Sequence, residues 1–215
     1  RLGDSWNINS RFGKVERRAP LNPDNWVQAC VYVVRRYKAM ANGKLLYVEI
    51  WNEPDHRRFW DASARDFYAL FEKTARALKE NFPDLRIGGP GFSYAAVAMP
   101  KGRDYVTAFL GHMHAHQVPL DFLSWHLYSN DPLEAVEAAR FYRQQLDTYG
   151  YRNTESHVTE FHTDLRRNTT GLSDLALRVD APGAAILTAN WIAFHNEKVA
   201  RTFVYRGADA AMDQP

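Results

Sequence analysis

Strand-length apolar runs alternate strictly with helix-like segments along this chain, and this alternation constrains the fold more than any other feature. The sequence predicts five strands, at residues 45–51, 85–88, 121–126, 157–160 and 202–205. It predicts helices at residues 22–41, 63–81, 105–116, 133–149 and 183–195. Strict alternation of this kind predicts an α/β fold with a parallel sheet and crossover helices.

Turn and capping residues support the predicted helix boundaries. Asn22 followed by Pro23 is a typical helix start, and Ser63 with Asp66 three residues later has the pattern of a capping box. No repeat, low-complexity tract or interdomain linker interrupts the sequence. Residues 1–215 are therefore predicted to form a single domain.

Periodicity alone does not distinguish an open doubly wound sheet from a closed barrel. The predicted strands start about 35 to 45 residues apart, near the roughly 31 residues per unit of an eight-unit barrel. In barrels, catalytic groups come from the carboxyl ends of several strands, and here Glu53 and Glu160 lie at the ends of two predicted strands. The sequence therefore favours a (β/α)8 barrel, of which this chain holds about five βα units.

Composition argues against several classes of protein. With 46% hydrophobic and 24% charged residues, the chain is neither disordered nor fibrous. A net charge of +2, with no basic run longer than an arginine pair, gives no reason to expect a nucleic-acid partner. The single cysteine, Cys30, excludes an intrachain disulfide, and no apolar run reaches the roughly 20 residues that span a bilayer.

Two glutamates at strand ends carry the catalytic hypothesis. Glu53 lies in the string Glu-Ile-Trp-Asn-Glu-Pro at residues 49–54, and Glu160 lies in Val-Thr-Glu-Phe-His at 158–162. Glycoside hydrolysis needs one carboxylic acid to protonate the leaving oxygen and one carboxylate to attack the sugar or to activate water. A separation of about 5 Å between them would imply retention of configuration. Glu49 is expected to have a supporting structural role.

Four motifs resemble strand-end motifs of glycoside hydrolase family 39. They are residues 49–54, Ile-Gly-Gly-Pro at 87–90, Asp-Phe-Leu-Ser-Trp-His-Leu-Tyr at 121–128 and Val-Thr-Glu-Phe at 158–161. That family contains β-xylosidases and α-L-iduronidases, and in its clan the acid/base follows strand four and the nucleophile follows strand seven. The resemblance implies a retaining glycoside hydrolase with Glu53 as acid/base and Glu160 as nucleophile. It also implies a fragment spanning strands four to eight, with the first three strands upstream.

The resemblance also implies roles for residues around the two glutamates. Asn52 would bond the sugar hydroxyl next to the reacting carbon, His126 would lie near the sugar, and Tyr128 would hold an oxygen of the nucleophile. Tyr205 stands near the place where the family usually has an aromatic residue after strand eight. Three further aromatic residues are candidates for apolar walls against the sugar ring, with a core position as the alternative: Trp51, Trp125 and Phe161.

Two other functions compete with the glycosidase hypothesis. The first is a carbohydrate-binding barrel that has lost activity, although the presence of both glutamates with Asn52 argues against it. The second is a metal-dependent hydrolase that uses His126, Glu160 and His162. The retaining mechanism itself requires no metal or organic cofactor, and its partner is a carbohydrate. The sugar, the oligomeric state and the compartment stay open, and a secreted or periplasmic location is compatible with the family.

Three closely spaced histidines raise the question of a separate metal site. His112, His114 and His116 fall in a predicted helix at a spacing of two, which points neighbouring members in different directions. Only His112 and His116 share a face of the helix. Histidines near the carboxyl end of a helix also interact favourably with its dipole, so no metal is predicted here.

Overall fold

Five parallel strands form one sheet, in which they lie in the same order as along the chain. The strands are β1 (Tyr47–Glu49), β2 (Arg86–Phe92), β3 (Phe122–Tyr128), β4 (Glu155–His162) and β5 (Arg201–Val204). Each neighbouring pair is parallel. The structure is a computed structural model that describes residues 17–166 and 170–205. The five predicted strands and their parallel pairing are confirmed.

Helices connect each strand to the next. They are α1 (Pro23–Met40), α2 (Ala64–Asn81), α3 (Ala95–Ala98), α4 (Pro100–Ala115), α5 (Pro132–Thr148), α6 (Asp174–Val179) and α7 (Ala181–Asn196). Helix α1 precedes β1, and α2, α4, α5 and α7 are the crossover helices between successive strands. The sequence predicted these five helices. The short helices α3 and α6 were not predicted, because one or two turns contain too few residues to show a helical period.

Side-chain caps and a proline account for the starts of three helices. The Asn22 side chain accepts two hydrogen bonds from backbone N–H groups in the first turn of α1. Ser63 and Asp66 form the predicted capping box at α2, each side chain accepting a hydrogen bond from the other's backbone N–H. Helix α4 begins at Pro100, earlier than the predicted start at 105, because proline in a first turn lacks only an N–H that would be unpaired.

Strand β2 extends to Phe92, beyond its predicted end at residue 88. The segment is rich in glycine and proline, which normally interrupt a strand. Close packing explains the first glycine, because a Cβ on Gly88 would lie 2.1 Å from the backbone oxygen of Phe122 in β3. The missing side chain therefore allows the two strands to approach, and the predicted end was too early for this reason.

An aromatic layer fills the space between the sheet and the helices. Trp125 stacks on Tyr142 of α5 with ring centroids 4.8 Å apart, and Phe161 contacts Phe194 of α7 edge to face. Trp51 contacts one aromatic ring of α1 and one of α2. All three strand-end aromatics are buried and face the helices. The prediction that Trp51, Trp125 and Phe161 form walls against a sugar is therefore wrong, and the alternative of a core position holds.

The described sheet has two edge strands, β1 and β5. Large apolar side chains are exposed there, with Leu46 just before β1 at 60% and Phe203 in β5 at 52%. Within the described residues, no helix has the length and apolar character needed to cross a membrane. The assignment of residues 1–215 to a single domain stays a prediction, since part of the chain lies outside the described residues.

Candidate active site

Glu53 and Glu160 meet at the carboxyl-terminal edge of the sheet. Glu160 belongs to β4, and Glu53 lies in the loop after β1. The backbone is left-handed at Trp51 (φ 73°) and at Glu53 (φ 48°), a conformation that residues other than glycine seldom adopt. The Glu53 N–H donates a 2.9 Å hydrogen bond to the Gly91 carbonyl, which fixes this loop against β2. Uncommon backbone angles of this kind concentrate at functional sites.

The imidazole of His126 lies between the two glutamates. Its Nδ1 is 2.7 Å from Glu53 Oε1 and 3.6 Å from Glu160 Oε2. One side-chain oxygen or nitrogen atom from each of the three residues lies within 4.8 Å of the other two. The imidazole is fully buried, so its polar atoms depend on protein partners. The two carboxylates therefore converge on one point from different strands.

Tyr128 donates a 2.8 Å hydrogen bond from its hydroxyl to Glu160 Oε2. Burial, followed by the negative charge and the accepting oxygen of Glu160, raises the pKa of Tyr128 well above its usual value. The hydroxyl consequently keeps its proton and remains a donor at any physiological pH. The hydrogen bond joins the two residues between which a contact was expected, and the role of Glu160 as nucleophile stays a prediction.

Glu49 and Thr159 join β1 to β4 directly below the glutamates. Thr159 donates a 2.8 Å hydrogen bond to Glu49 Oε1 across the face of the sheet that is opposite to the helices. Gly91 packs against both this carboxylate and His126, and a Cβ at position 91 would lie 3.1 Å from each. Glu49 thus contacts residues that support the site, in agreement with its predicted structural role.

Asp55 anchors the loop that carries Glu53, a role that was not predicted from the sequence. The Ser93 N–H donates a 3.0 Å hydrogen bond to Asp55 Oδ1, and the Ser93 hydroxyl donates to Oδ2. Burial raises the pKa of Asp55, an effect that the hydrogen bonds from Ser93 oppose only in part. A polar residue two positions after Glu53 looked like an ordinary turn residue, and no sequence signal links it to Ser93.

Asn52 has a buried acceptor that lacks a protein partner. Its Oδ1 makes no hydrogen bond to any described residue, although it has almost no contact with solvent. An unpaired buried carbonyl costs stability and is rare in folded proteins. The expectation of a sugar contact at Asn52 is compatible with this free acceptor, but the contact itself stays a prediction.

An open cavity of about 580 Å³ lies in front of the glutamates. Glu53, Tyr128 and Glu160 line it, and Tyr205 adds a ring 6.0 Å from that of Tyr128. Tyr205 therefore lies where an aromatic residue was expected near strand eight. Of the predicted site residues, five do not line the cavity: Asn52, His126, Trp51, Trp125 and Phe161.

Three arginines also line the cavity, two from loops and one from a short helix. Arg58 follows β1, and Arg166 follows β4 and pairs with Asp164 at 3.3 Å. Arg178 of α6 contributes a third guanidinium group. Loops and a helix of six residues show no clear hydrophobic period, so these arginines could not be assigned to the site from the sequence.

The ligand set predicted for a metal-dependent hydrolase is not assembled. Within residues 17–166 and 170–205, two groups of three side chains bring possible metal ligands together, and neither contains His162. His162 Nδ1 instead lies 2.9 Å from the Thr163 hydroxyl. The neighbour of His126 and Glu160 is Glu53, so the prediction was wrong about the third residue.

Solved structures with a similar fold show which architecture the five-stranded sheet belongs to. A glucosidase from Croceicoccus marinus is similar with a TM-score of 0.71 and 24% identity, over 91% of this chain and 40% of that one. A family 39 β-xylosidase from Caulobacter crescentus gives a TM-score of 0.67 and 23% identity, over 87% and 39%. At this identity the likeness establishes the fold alone. The five parallel strands are thus part of a (β/α)8 barrel.

Sequence comparisons extend the likeness to the level of a family. A β-xylosidase from Geobacillus stearothermophilus is 37% identical over 167 residues, which cover 67% of this chain and 32% of that protein. A β-xylosidase from Caldicellulosiruptor saccharolyticus is 33% identical over 86 residues, covering 40% and 16%. The chain therefore spans about a third or less of the curated relatives that it matches. Residues 14–165 match the family described as glycosyl hydrolases family 39, and the chain belongs to this family.

Proposed function

We propose that this chain carries the catalytic carboxylates of a retaining glycosidase, with Glu53 as acid/base and Glu160 as nucleophile. The observation that carries the proposal is the convergence of Glu53, His126 and Glu160 atoms within 4.8 Å at the cavity. Retaining enzymes hold their two carboxyl groups about 5–5.5 Å apart, whereas inverting enzymes need about 6.5–9.5 Å to admit a water. The short separation supports retention.

In the first step, a Glu160 oxygen attacks the anomeric carbon and forms a glycosyl ester. The glycosidic bond breaks with its electron pair going to the leaving oxygen, which takes the proton of Glu53. In the second step, Glu53 removes a proton from water as the water oxygen displaces Glu160 from the same carbon. Two inversions give net retention, and each carboxyl group ends in its starting state.

The surrounding residues support a division between positioning and sugar binding. His126 is buried behind the carboxylates and does not line the cavity, so we assign it to positioning Glu53 rather than to direct sugar contact. Tyr128 restrains Glu160 by a charge-assisted hydrogen bond. The unpaired Asn52 Oδ1 is the acceptor that we assign to a sugar hydroxyl.

The substrate class follows from the relatives, two of which are named β-xylosidases. We therefore infer that a β-D-xyloside is the first substrate to test. A carbohydrate-binding barrel without activity would bind the same sugars and leave them uncleaved, so hydrolysis decides between the two functions.

The test is hydrolysis of a panel of aryl glycosides by the full-length protein that carries this chain. We expect Glu53→Ala and Glu160→Ala to lose activity by about 10³-fold or more, whereas Glu137→Ala, an exposed carboxylate on α5, should match the wild type. Added azide should rescue Glu53→Ala with a product of retained configuration and Glu160→Ala with an inverted one. Activity that survives both substitutions would sink the assignment, and sugar binding without cleavage by the wild type would favour the inactive barrel.

A further inference from the structure

A second polar cluster lies between α2 and α4, among residues that do not line the active-site cavity. Its members are Glu72 of α2 and two histidines of α4, His112 and His116. His112 Nε2 is 2.9 Å from Glu72 Oε2, and His116 Nδ1 is 2.8 Å from the same oxygen. The two imidazole rings stack with centroids 4.1 Å apart. One oxygen therefore faces two imidazole nitrogens at close range.

The helical period explains why these two histidines converge. Residues four positions apart lie on the same face of a helix, one turn above the other. His114 lies between them in sequence and points elsewhere, with its ring 6.4 Å from that of Tyr149. The shared face of His112 and His116 is evident from their spacing in the sequence, whereas a third ligand from another helix is not. Glu72 comes from another helix, and its position becomes evident only when α2 packs on α4.

We propose that Glu72, His112 and His116 form a binding site for a divalent transition-metal cation, with Zn²⁺ as the representative ion. Zinc binds histidine nitrogen and carboxylate oxygen at about 2.0–2.2 Å in tetrahedral geometry, so neighbouring ligands of one ion lie about 3.3–3.6 Å apart. The two nitrogen–oxygen distances of 2.8 and 2.9 Å are hydrogen-bond distances that are shorter than this separation by less than about 1 Å. Replacement of the shared protons by an ion therefore requires only small side-chain shifts.

The chemistry of the donor set matches this class of ion. Two imidazoles and one carboxylate suit zinc and the later first-row metals, whereas calcium and magnesium prefer oxygen alone. Burial raises the pKa of Glu72, but hydrogen bonds from His112 and Arg76 outweigh that effect and lower it overall. Water would complete the coordination shell, as it does where proteins supply three zinc ligands.

Arg76 orients the carboxylate and also opposes the bound charge. Its Nε donates a 3.1 Å hydrogen bond to Glu72 Oε1, which leaves Oε2 directed at the histidines. Partners of this kind fix the orientation of metal ligands. The guanidinium charge works against a nearby cation, so the site should bind more weakly than one without an arginine. Side-chain exposures of 20% for His112 and 49% for His116 allow an ion to enter from solvent.

A bound ion would tie α2 to α4 and would stabilise the fold in proportion to its occupancy. Those helices follow β1 and β2, the strands that lead to the Glu53 loop and to Gly91. The proposed role is consequently structural. Hydrolysis by Glu53 and Glu160 does not depend on it.

The test is titration of the full-length protein, purified without a histidine tag, with Zn²⁺ followed by calorimetry and with Co²⁺ followed by visible absorption. We expect saturable binding of one ion at this site, with affinity reduced about tenfold or more in His112→Ala, His116→Ala and Glu72→Gln. His114→Ala is the matched control on the same helix and should bind as the wild type does. Zinc should raise the melting temperature of the wild type and of His114→Ala, and not that of His116→Ala.

Three results would overturn the proposal. They are the absence of saturable binding up to about 100 μM ion, a number of bound ions that is the same in the His112→Ala and His116→Ala double variant as in the wild type, and an equal loss in His114→Ala. Any ion bound by Glu53, His126 and Glu160 would still bind in these variants. The ion that is lost on substitution of the two histidines is therefore the one at the proposed site. A thermal melt without metal tests whether each variant is folded. His116 is about half exposed, so its replacement by alanine should leave the fold intact.

Discussion

Two clusters of the same three residue types lie at opposite ends of the sheet, yet their surroundings differ. The carboxyl-end cluster consists of Tyr128, Glu160 and His126, and the amino-end cluster consists of Tyr47, Glu155 and His157. In each, the tyrosine hydroxyl donates to the glutamate and the histidine lies beside it. The residue types alone therefore do not distinguish a catalytic site from a structural one.

The neighbouring charges make the distinction. At the amino end, Arg86 pairs with Glu155, and Arg201 donates a 2.9 Å hydrogen bond to the Tyr47 hydroxyl. Both guanidinium groups also lie over the Tyr47 ring. At the carboxyl end, the added neighbour is a second carboxylate, Glu53, instead of an arginine. Two carboxylates at one point cost stability, so we interpret that end as built for chemistry and the amino end as built for stability.

The largest expected effect is that of Glu160→Gln. If Glu160 is the nucleophile as proposed, its loss should reduce kcat by about a thousandfold or more. The melting temperature should stay equal or rise, because the substitution removes a like charge near Glu53. Steady-state kinetics with an aryl xyloside and thermal melting measure the two effects. If Glu160→Gln melted far below the wild type, the interpretation that the carboxyl-end cluster lowers the stability of the fold would be contradicted.

The next effect compares the two tyrosines. Tyr128→Phe removes the hydrogen bond to Glu160 and should lower kcat by about 10- to 100-fold, as expected for a charge-assisted hydrogen bond. Tyr47→Phe removes the corresponding bond to Glu155 and should change kcat by less than about twofold. Kinetics of both variants, side by side, provide the measurement. Equal losses would mean that the two clusters are not functionally different.

At the amino end, Glu155→Ala should lower the free energy of unfolding by about 1–3 kcal/mol, because it leaves the buried His157 and the exposed Arg86 without their acceptor. Burial raises the pKa of Glu155, but the bond to His157 and the charge of Arg86 lower it overall. A lowered pKa gives stability above about pH 4.5 that is lost on acidification. Urea denaturation should therefore give a difference from wild type at pH 7 that shrinks at pH 3.5.

The smallest expected effect has the opposite dependence on pH. The raised pKa of buried Asp55 means that the folded state binds its proton more tightly than the unfolded state does. Its ionisation therefore lowers stability as the pH rises above about 4. Asp55→Asn should gain stability relative to the wild type between pH 4 and pH 7, as measured by urea denaturation. If the stability of Asp55→Asn relative to the wild type rose on acidification instead, the opposite pH dependence expected for Asp55 and Glu155 would be contradicted.

Local patterns made most of the fold predictable from the sequence. Capping residues such as Asn22 and Ser63 were visible as short strings, and the apolar periods located the five strands. The approach of Glu53 to Glu160 followed from a geometric rule, since parallel strands present their carboxyl ends at one edge of the sheet. Each of these inferences uses either a short window or the alternation of elements.

Contacts that depend on side-chain direction were not predictable in this way. Trp51 lies two positions before Glu53, yet its left-handed backbone turns it into the core, and no period signals that angle. The pairing of Asp55 with Ser93 joins two loops far apart in sequence. Glu72 meets His112 only because two helices pack together. Prediction failed where the outcome depends on which residues of different elements meet.

Gly91 has a consequence for how the protein can vary. Its φ of +65° disfavours side chains, and a Cβ would press on both Glu49 and His126. Every codon change that replaces glycine with another amino acid introduces such a carbon, so no substitution at this position is expected to be neutral. A saturation library selected for activity should recover glycine alone at 91. The residue without a side chain would then be among the least replaceable in the protein.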